Sequence, residues 1–185
     1  MTVEAPRRAD AARNLDRVVA AARAVFAERG LDATIAEIAA RAGVGKATVY
    51  RNFPARSDLL AATALHRLAW FDDRVRQALA EEDVASAVRS YVHEAFERLR
   101  HDRGLGDVLR SLDMPAVVEA ADGLRERSVQ LVAKAVAAGA LRPDATEDDL
   151  HLLVSGLNRA LVEKGDDDPA SWAHAAELVL RALER

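Results

Sequence analysis

The segment KATVYRN concentrates side chains that can bind a nucleic acid. Lys46 and Arg51 offer positive charge to phosphate groups. Thr48 and Tyr50 offer hydroxyl groups for directional hydrogen bonds, and Asn52 offers an amide that can pair with the edge of a base. Arg51 and Asn52 would also suit a merely solvated surface. Taken together, the segment predicts a surface that holds a phosphate backbone and reads base edges.

Two short helices joined by a tight turn are expected to position this segment. Thr34 and Glu37 form the pattern of a capping box, which opens a helix that Gly43 ends. The second helix is expected over residues 46–53, because Pro54 disfavours helical geometry in the residue before it. Two helices with a glycine in the turn between them predict a helix-turn-helix.

Apolar residues recur at helical spacing along the rest of the chain, which predicts an all-α protein. A helix over residues 11–29, ended by Gly30, would pack behind the helix-turn-helix and complete a three-helix head. The larger C-terminal part is expected to be helical as well, which gives about nine helices in total. Its expected helices cover residues 57–80, capped by Ser57, and residues 83–101, 105–112, 115–139, 146–164 and 169–184.

The charge is distributed unevenly along the chain. Residues 1–60 contain ten basic and seven acidic side chains, whereas residues 61–185 contain sixteen and twenty-three. A basic head on an acidic body suits a protein that binds a polyanion. The excess of basic residues in the first sixty is small enough to arise by chance. It counts as evidence for binding a polyanion only because the motif lies in the same segment.

Several classes of protein are disfavoured by composition. The absence of cysteine excludes disulfides, thiolate zinc sites and cysteine nucleophiles. No apolar run approaches the ~18 residues of a membrane span, and no secretory signal follows the first methionine. The five histidines lack paired spacing, and no phosphate loop or nucleophile elbow occurs. We therefore expect a cytoplasmic protein that is not an enzyme, with no catalytic residue, metal ligand or cofactor, although a metal-responsive regulator stays open.

The run FAERGLDATIAEIAARAGVGKATVYRNFPARSDLL resembles the signature of TetR-family transcriptional regulators in several in-register elements. The resemblance implies a homodimeric repressor that binds a pseudo-palindromic DNA operator and is released by a small-molecule effector. It implies a DNA-binding domain over residues 11–56 and an effector-binding and dimerisation domain over residues 57–185. The alternative is a regulator of the same fold that a protein partner controls or that has no ligand.

The same resemblance assigns roles to individual residues of the head. Lys46, Thr48 and Tyr50 would contact the DNA backbone, and Arg56 would hold a phosphate from the start of the long helix. Arg51 and Asn52 would lie near bases or flanking phosphates. The family commonly has serine where this chain has Gly45, so no side-chain contact with phosphate is assigned there.

The C-terminal domain offers weaker candidates for an effector pocket and a dimer interface. The pocket candidates are bulky or polar residues on apolar helix faces, and ordinary core or surface positions would explain each of them as well. They are His66, Trp70, Tyr91, His93, Phe96, Met114 and Asn158. The interface candidates lie on the last two helices, where packing within one chain would give the same pattern. They are Leu153, Gly156, Leu157, Ala160, Trp172, Ala176 and Val179.

Overall fold

The computed structural model describes the backbone of residues 5–102 and 114–185, and the side chains of residues 14–30, 32–102 and 114–185. In this part of the chain the regular elements are helices, and one isolated antiparallel bridge joins Leu141 and Glu184. The expected all-α class is therefore confirmed. None of the helices so described is both long enough and apolar enough to cross a membrane.

Eight α-helices and a short 3-10 turn at Gly30–Asp32 make up the described elements. The helix expected over residues 105–112 lies outside the described residues. The α-helices are α1 Ala5–Arg29, α2 Ile35–Ala42, α3 Lys46–Asn52, α4 Arg56–Ala80, α5 Val84–His101, α6 Pro115–Ala137, α7 Glu147–Glu163 and α8 Pro169–Leu183.

Two compact units divide the chain. The first comprises Met1–His66 and Asp102–Val117, and the second comprises Arg67–His101 and Val118–Arg185. Helix α4 contributes residues to both units. The first unit takes in the opening turns of α4, and the division after residue 56 that we expect from the sequence stays a prediction.

Local signals fix the ends of α2. The Thr34 hydroxyl accepts a hydrogen bond from the Glu37 N–H at 3.2 Å, and the Glu37 carboxylate accepts one from the Thr34 N–H at 2.9 Å. This reciprocal pair is the predicted capping box. At the other end Gly43 adopts φ 67° and ψ 34°, a left-handed conformation that glycine reaches without steric cost. Both predicted ends of the helix are confirmed.

Two predicted helix starts are wrong. Helix α1 begins at Ala5, six residues before the expected position 11. Helix α4 begins at Arg56 without Ser57 as its cap. Instead the Asp58 carboxylate accepts a hydrogen bond from the Ala55 N–H at 2.8 Å. A carboxylate that reaches back three residues satisfies a free donor of the first turn, as in a capping box.

A small apolar core holds the first three helices together. Phe26 of α1, Ile38 of α2 and Val49 of α3 have no exposed surface, and Phe53 is nearly buried. Each helix thus turns one face inward, and the side chains of α3 on either side of Val49 are left for the outer face.

The core of the second unit is built around the packing of α5 against α8. The rings of Phe96 and Trp172 meet edge to face, with centroids 6.5 Å apart. The Trp172 indole N–H also donates a hydrogen bond to the Asp166 carbonyl at 2.9 Å. Trp172, Ala176 and Val179 are at most 1% exposed. These three residues were expected at a dimer interface, but they fill the core of their own chain.

Candidate nucleic-acid interface

Helix α3 presents the predicted contact residues on its outer face. Lys46, Tyr50, Arg51 and Asn52 are exposed, and Thr48 is half-buried. Their arrangement follows from the burial of Val49 and Phe53, which turns the remaining side chains outward. The outer face therefore combines two cations, two hydroxyl groups and one amide.

Tyr50 is the large aromatic side chain on this face, and half of it is exposed. A phenol ring in water loses the apolar contacts that aromatic side chains usually make, while its hydroxyl can reach a phosphate. The structure shows a ring that projects from α3.

Arg51 and Asn52 are held against the backbone of their own helix. The Arg51 Nε–H donates a hydrogen bond to the Ala47 carbonyl at 3.2 Å, and an Arg51 Nη2–H donates to the Thr48 hydroxyl at 3.5 Å. The Asn52 amide donates to the Thr48 carbonyl at 2.8 Å. Thr48 thus brings the two candidate base-reading residues together.

Arg56 stands at the first position of α4, and its guanidinium lies 5.8 Å from the centre of the Phe26 ring. A cation over an aromatic face gains electrostatic attraction, which helps to fix the direction of the side chain. Phe26 belongs to the buried core of the head. The position of Arg56 is therefore tied to the same core that positions α3.

Two ion pairs join α1 to α2 in this unit. The Arg41 guanidinium donates two hydrogen bonds to the Glu28 carboxylate, at 2.8 and 2.7 Å. Arg29 donates to Glu37 at 2.5 Å. The hydrogen bond from Arg29, followed by those from the Thr34 backbone and hydroxyl, lowers the pKa of Glu37 to about 2. The capping carboxylate therefore stays charged at neutral pH.

Ala47 is a residue of the outer face that the sequence analysis did not name. It is exposed in the first turn of α3. Its spacing of three and four residues before Tyr50 and Arg51 places it beside them on the helix, and that spacing could have identified it. A methyl group there offers an apolar contact of the kind that a thymine methyl accepts.

The pocket candidates do not all fall in one unit. His66 and Met114 belong to the first unit, and the other five belong to the second. Phe96 is buried against Trp172, and the His93 Nε2 atom lies 2.8 Å from the Glu177 Oε1 atom. These candidates stay predictions.

Trp70 lies at the centre of a different group of contacts. Its ring meets the Phe71 ring edge to face at 5.0 Å. The guanidinium groups of Arg74 and Arg98 lie 5.8 and 5.2 Å from the centre of the indole. Tyr91 and Asn158 are half-buried elsewhere in the same unit.

The remaining interface candidates lie on α7, which buries few of its side chains. Leu153 and Leu157 pack against the core, whereas Gly156 and Ala160 are exposed. Leu152 is 70% exposed, although the sequence analysis did not name it. Its spacing of four and eight residues before Gly156 and Ala160 places the three on one face. Helix α7 thus shows a solvent-facing stripe of apolar and small residues.

The described residues offer no group of three or more histidine, cysteine, aspartate or glutamate side chains able to hold a metal ion.

Two family profiles match this chain in succession. The profile described as "Bacterial regulatory proteins, tetR family" matches residues 18–63. The profile described as "Transcriptional regulator SbtR-like, C-terminal domain" matches residues 83–185, which is more than half of the chain.

Solved structures of two similar proteins cover most of the chain. A TetR transcriptional regulator of Streptomyces coelicolor is 31% identical with a TM-score of 0.70, and the match covers 92% of this chain and 98% of the other. A TetR transcription regulatory protein of Mycobacterium vanbaalenii is 34% identical with a TM-score of 0.69, with coverage of 86% and 98%.

A curated relative gives a shorter match. An uncharacterized HTH-type transcriptional regulator of Mycobacterium tuberculosis is 32% identical over 96 residues, which are 51% of this chain and 49% of that protein. The matched part therefore spans about half the length of the curated relative.

Proposed function

Since this chain belongs to the TetR family of transcriptional regulators, we propose that it is a cytoplasmic repressor that binds a pseudo-palindromic operator as a homodimer. A small-molecule effector would release it from the DNA. The observation that carries the proposal is the outer face of α3, where exposed cations and hydroxyl groups surround a buried Val49. Such a face can enter a major groove while the inner face holds the head together.

The proposed contacts follow from the chemistry of each side chain. Lys46 and Tyr50 contact phosphates, since both are exposed and one carries a charge and the other a hydroxyl group. Thr48 and Arg56 add phosphate contacts at the edges of the same surface. Arg51 lies nearest to the bases with Asn52, because arginine and asparagine pair well with guanine and adenine edges.

The proposed homodimer uses the solvent-facing stripe of α7. Leu152 exposes 70% of its surface, and exposed apolar residues that form a contiguous patch mark sites of contact with another protein. Gly156 and Ala160 continue the stripe, and a Cβ atom added at Gly156 would meet nothing within 4 Å. Leu178 of α8 is also 39% exposed. Apolar and small residues of this kind let two copies of a helix approach closely around a two-fold axis.

The proposed release follows from linked equilibria. An effector that binds one conformation of the dimer better than another shifts the population toward that conformation. If the favoured conformation has a different separation of the two α3 helices, the operator is released, and operator binding in turn weakens effector binding by the same factor.

The test begins with selection of a binding site from a random duplex library by the full chain. We expect the enriched sequence to be pseudo-palindromic, with half-sites about one helical turn apart. Operator affinity is then measured by fluorescence anisotropy for wild type, Lys46→Ala and Tyr50→Ala. Loss of a charge-assisted hydrogen bond at each half-site should weaken binding about tenfold or more.

Arg76→Ala is the control, because Arg76 is a 59% exposed cation in the part of α4 that belongs to the second unit, outside both the proposed DNA surface and the proposed stripe of α7. This variant should bind the operator like wild type, and sedimentation should give the same dimer mass for all the variants. Wild-type affinity in both Lys46→Ala and Tyr50→Ala would refute the assignment of α3 as the recognition helix.

A further inference from the structure

Among the exposed residues of α3, one has no polar side chain. Ala47 is exposed, and its side chain is a single methyl group. The other exposed residues of the helix end in a charge, a hydroxyl group or an amide; they are Lys46, Tyr50, Arg51 and Asn52. The outer face of α3 therefore contains a small apolar spot within a polar surface.

The backbone fixes the position of this methyl group. The Thr48 N–H donates a hydrogen bond to the Gly45 carbonyl at 2.9 Å, and the Val49 N–H donates to the same carbonyl at 3.4 Å. The first turn of α3 is thus closed around Ala47, and Val49 has no exposed surface in the core of the head. An alanine side chain loses no rotamer freedom when a partner covers it. The methyl group is therefore held ready for a contact.

The neighbours of Ala47 on the helix face are proposed DNA contacts. Tyr50 and Arg51 lie three and four residues further along, which places them beside Ala47 on one face. The Arg51 Nε–H donates a hydrogen bond to the Ala47 carbonyl at 3.2 Å, so the arginine is held next to this residue. A DNA groove that admits these side chains therefore also meets the methyl group.

The start of α3 is open to a partner. A Cβ atom added at Gly45, the N-cap of the helix, would meet nothing within 4 Å. Alanine is common on exposed helix surfaces because it is the best helix former, so exposure alone assigns no role to it. Ala47 is distinguished by its place as the second residue of α3. In a helix-turn-helix, the N-terminal residues of the second helix meet the base edges in the major groove.

We infer that Ala47 is a specificity-determining residue, and that its methyl group packs against the C5 methyl group of one thymine in each half-site of the operator; the inference rests on DNA binding through α3, as in the proposed function. Thymine is the base that presents a methyl group in the major groove. The contact removes two apolar groups from water together, and the other base edges and the phosphates offer no equivalent. Ala47 would thus favour thymine at one position of each half-site.

The DNA test removes the thymine methyl group alone. The starting duplex is the sequence that the full chain selects from a random library. Each thymine of the half-site is replaced in turn by deoxyuridine at both symmetry-related positions, which leaves the hydrogen-bonding groups of the base unchanged. In fluorescence anisotropy, replacement of one particular thymine should weaken binding about fourfold for each half-site, or about sixteenfold for the dimer, because a methyl-sized apolar group stays in water.

Ala47→Gly tests which residue contacts the thymine methyl group. This variant lacks the protein half of the contact, so its affinities for the thymine and deoxyuridine duplexes should agree within about twofold. Ala20→Gly is the matched control, because Ala20 is an exposed alanine inside α1, is not among the proposed DNA contacts and gives the same loss of helix propensity. The control should keep the full preference for thymine.

Thermal unfolding of both variants shows whether the head stays folded. If Ala47→Gly does not fold, Ala47→Ser takes its place, since serine keeps the Cβ atom and is a better helix former than glycine. The serine hydroxyl group would lose hydrogen bonds to water beside a thymine methyl group. The preference of Ala47→Ser for thymine over deoxyuridine should therefore fall below about fourfold for the dimer.

Three results would overturn the inference. They are a selected half-site without thymine, a wild-type affinity that no deoxyuridine replacement changes, and a preference for thymine that keeps its wild-type size in the folded Ala47 variant. In each case the chain still binds a selected duplex, so the proposed DNA binding stands. If the chain selects no duplex at all, the proposed function fails and the inference fails with it.

Discussion

Replacement of Gly45 by serine should raise the free energy of unfolding rather than lower it. Gly45 is the N-cap of α3 with φ −73° and ψ 150°, an extended conformation that any residue adopts. A Cβ atom at this position would meet nothing within 4 Å. A serine hydroxyl there can accept a hydrogen bond from an N–H of the first turn, which glycine leaves without a side-chain partner.

The expected gain has two sources. A serine cap is better than glycine by a few tenths of a kcal/mol, on the order of 0.3. Removal of glycine also restricts the unfolded chain, which contributes about 0.4–1 kcal/mol. The free energy of unfolding should therefore rise by about 1 kcal/mol, and the melting temperature of a chain of this length by about 2–4 °C.

Gly43→Ser, two residues away, is a comparison variant for which we expect the opposite effect on stability. Gly43 has φ +67°, so a side chain there forces a left-handed conformation that costs about 1–2 kcal/mol. Thermal unfolding followed by circular dichroism should show Gly45→Ser above wild type and Gly43→Ser below it. A fall in the melting temperature of Gly45→Ser, or equal shifts in both variants, would refute the conformational argument.

The same variant also tests the proposed interface. The serine O–H can donate a hydrogen bond to a phosphate while its oxygen caps the helix. One such bond at each half-site is worth about 0.5–1.5 kcal/mol, so operator affinity should rise about tenfold. Unchanged affinity in a stabilised Gly45→Ser variant would mean that the start of α3 does not approach the backbone.

Four further predictions follow from the described contacts and from the exposure of Leu152. Lys46→Ala should reduce the slope of log affinity against log salt concentration by about 1.8, since two copies each lose one phosphate contact worth about 0.9; an unchanged slope would exclude that contact. Thr34→Ala should lower the free energy of unfolding by about 1 kcal/mol in denaturant titrations, through loss of the cap of α2. The lowered pKa of Glu37 stabilises the fold above its ordinary value of 4.5, and this contribution is lost as the pH falls toward about 2. Glu37→Gln should therefore be less stable at pH 6 and show a smaller loss of stability between pH 4.5 and 2, whereas parallel acid unfolding curves would contradict the assignment. Leu152→Glu should shift sedimentation toward the monomer and weaken operator binding, and an unchanged dimer mass would exclude the stripe of α7 from the interface.

The parts of the fold that depend on neighbours in sequence were predictable. The capping box of Thr34 and Glu37 and the left-handed Gly43 are decided within a few residues, so their sequence signals suffice. Val49 is an apolar residue among the polar side chains of α3, so its local setting is enough to predict that it is buried. The same local reasoning chose Ser57 as a cap, because serine is a common cap, and it overlooked the carboxylate of Asp58 that reaches back to Ala55.

The parts that depend on which helices meet were not predictable. The apolar stripe of α8 shows that one face is buried, but it carries no information about the partner that covers it. Trp172 and Val179 proved to be covered by their own chain. Ser128 and Glu147 show the same limit: each looks like a surface residue in the sequence, and only the packing of α6 and α7 shows that it is buried.

The hydrogen bonds that Arg51 and Asn52 form with their own helix affect how α3 would discriminate between DNA sequences. A base edge that engages either side chain has to replace a bond that the helix already holds, from Ala47 or from Thr48. A fully matched DNA site supplies an equivalent hydrogen bond for each one lost within the helix, so the net change in free energy is close to zero. A mismatched DNA site supplies no such bond. The two side chains then keep their hydrogen bonds to α3, and the cations alone bind the DNA backbone. The hydrogen bonds within α3 would thus compete with the bonds that Arg51 and Asn52 form to bases. This competition would let the protein move along unmatched DNA without stopping at partial matches.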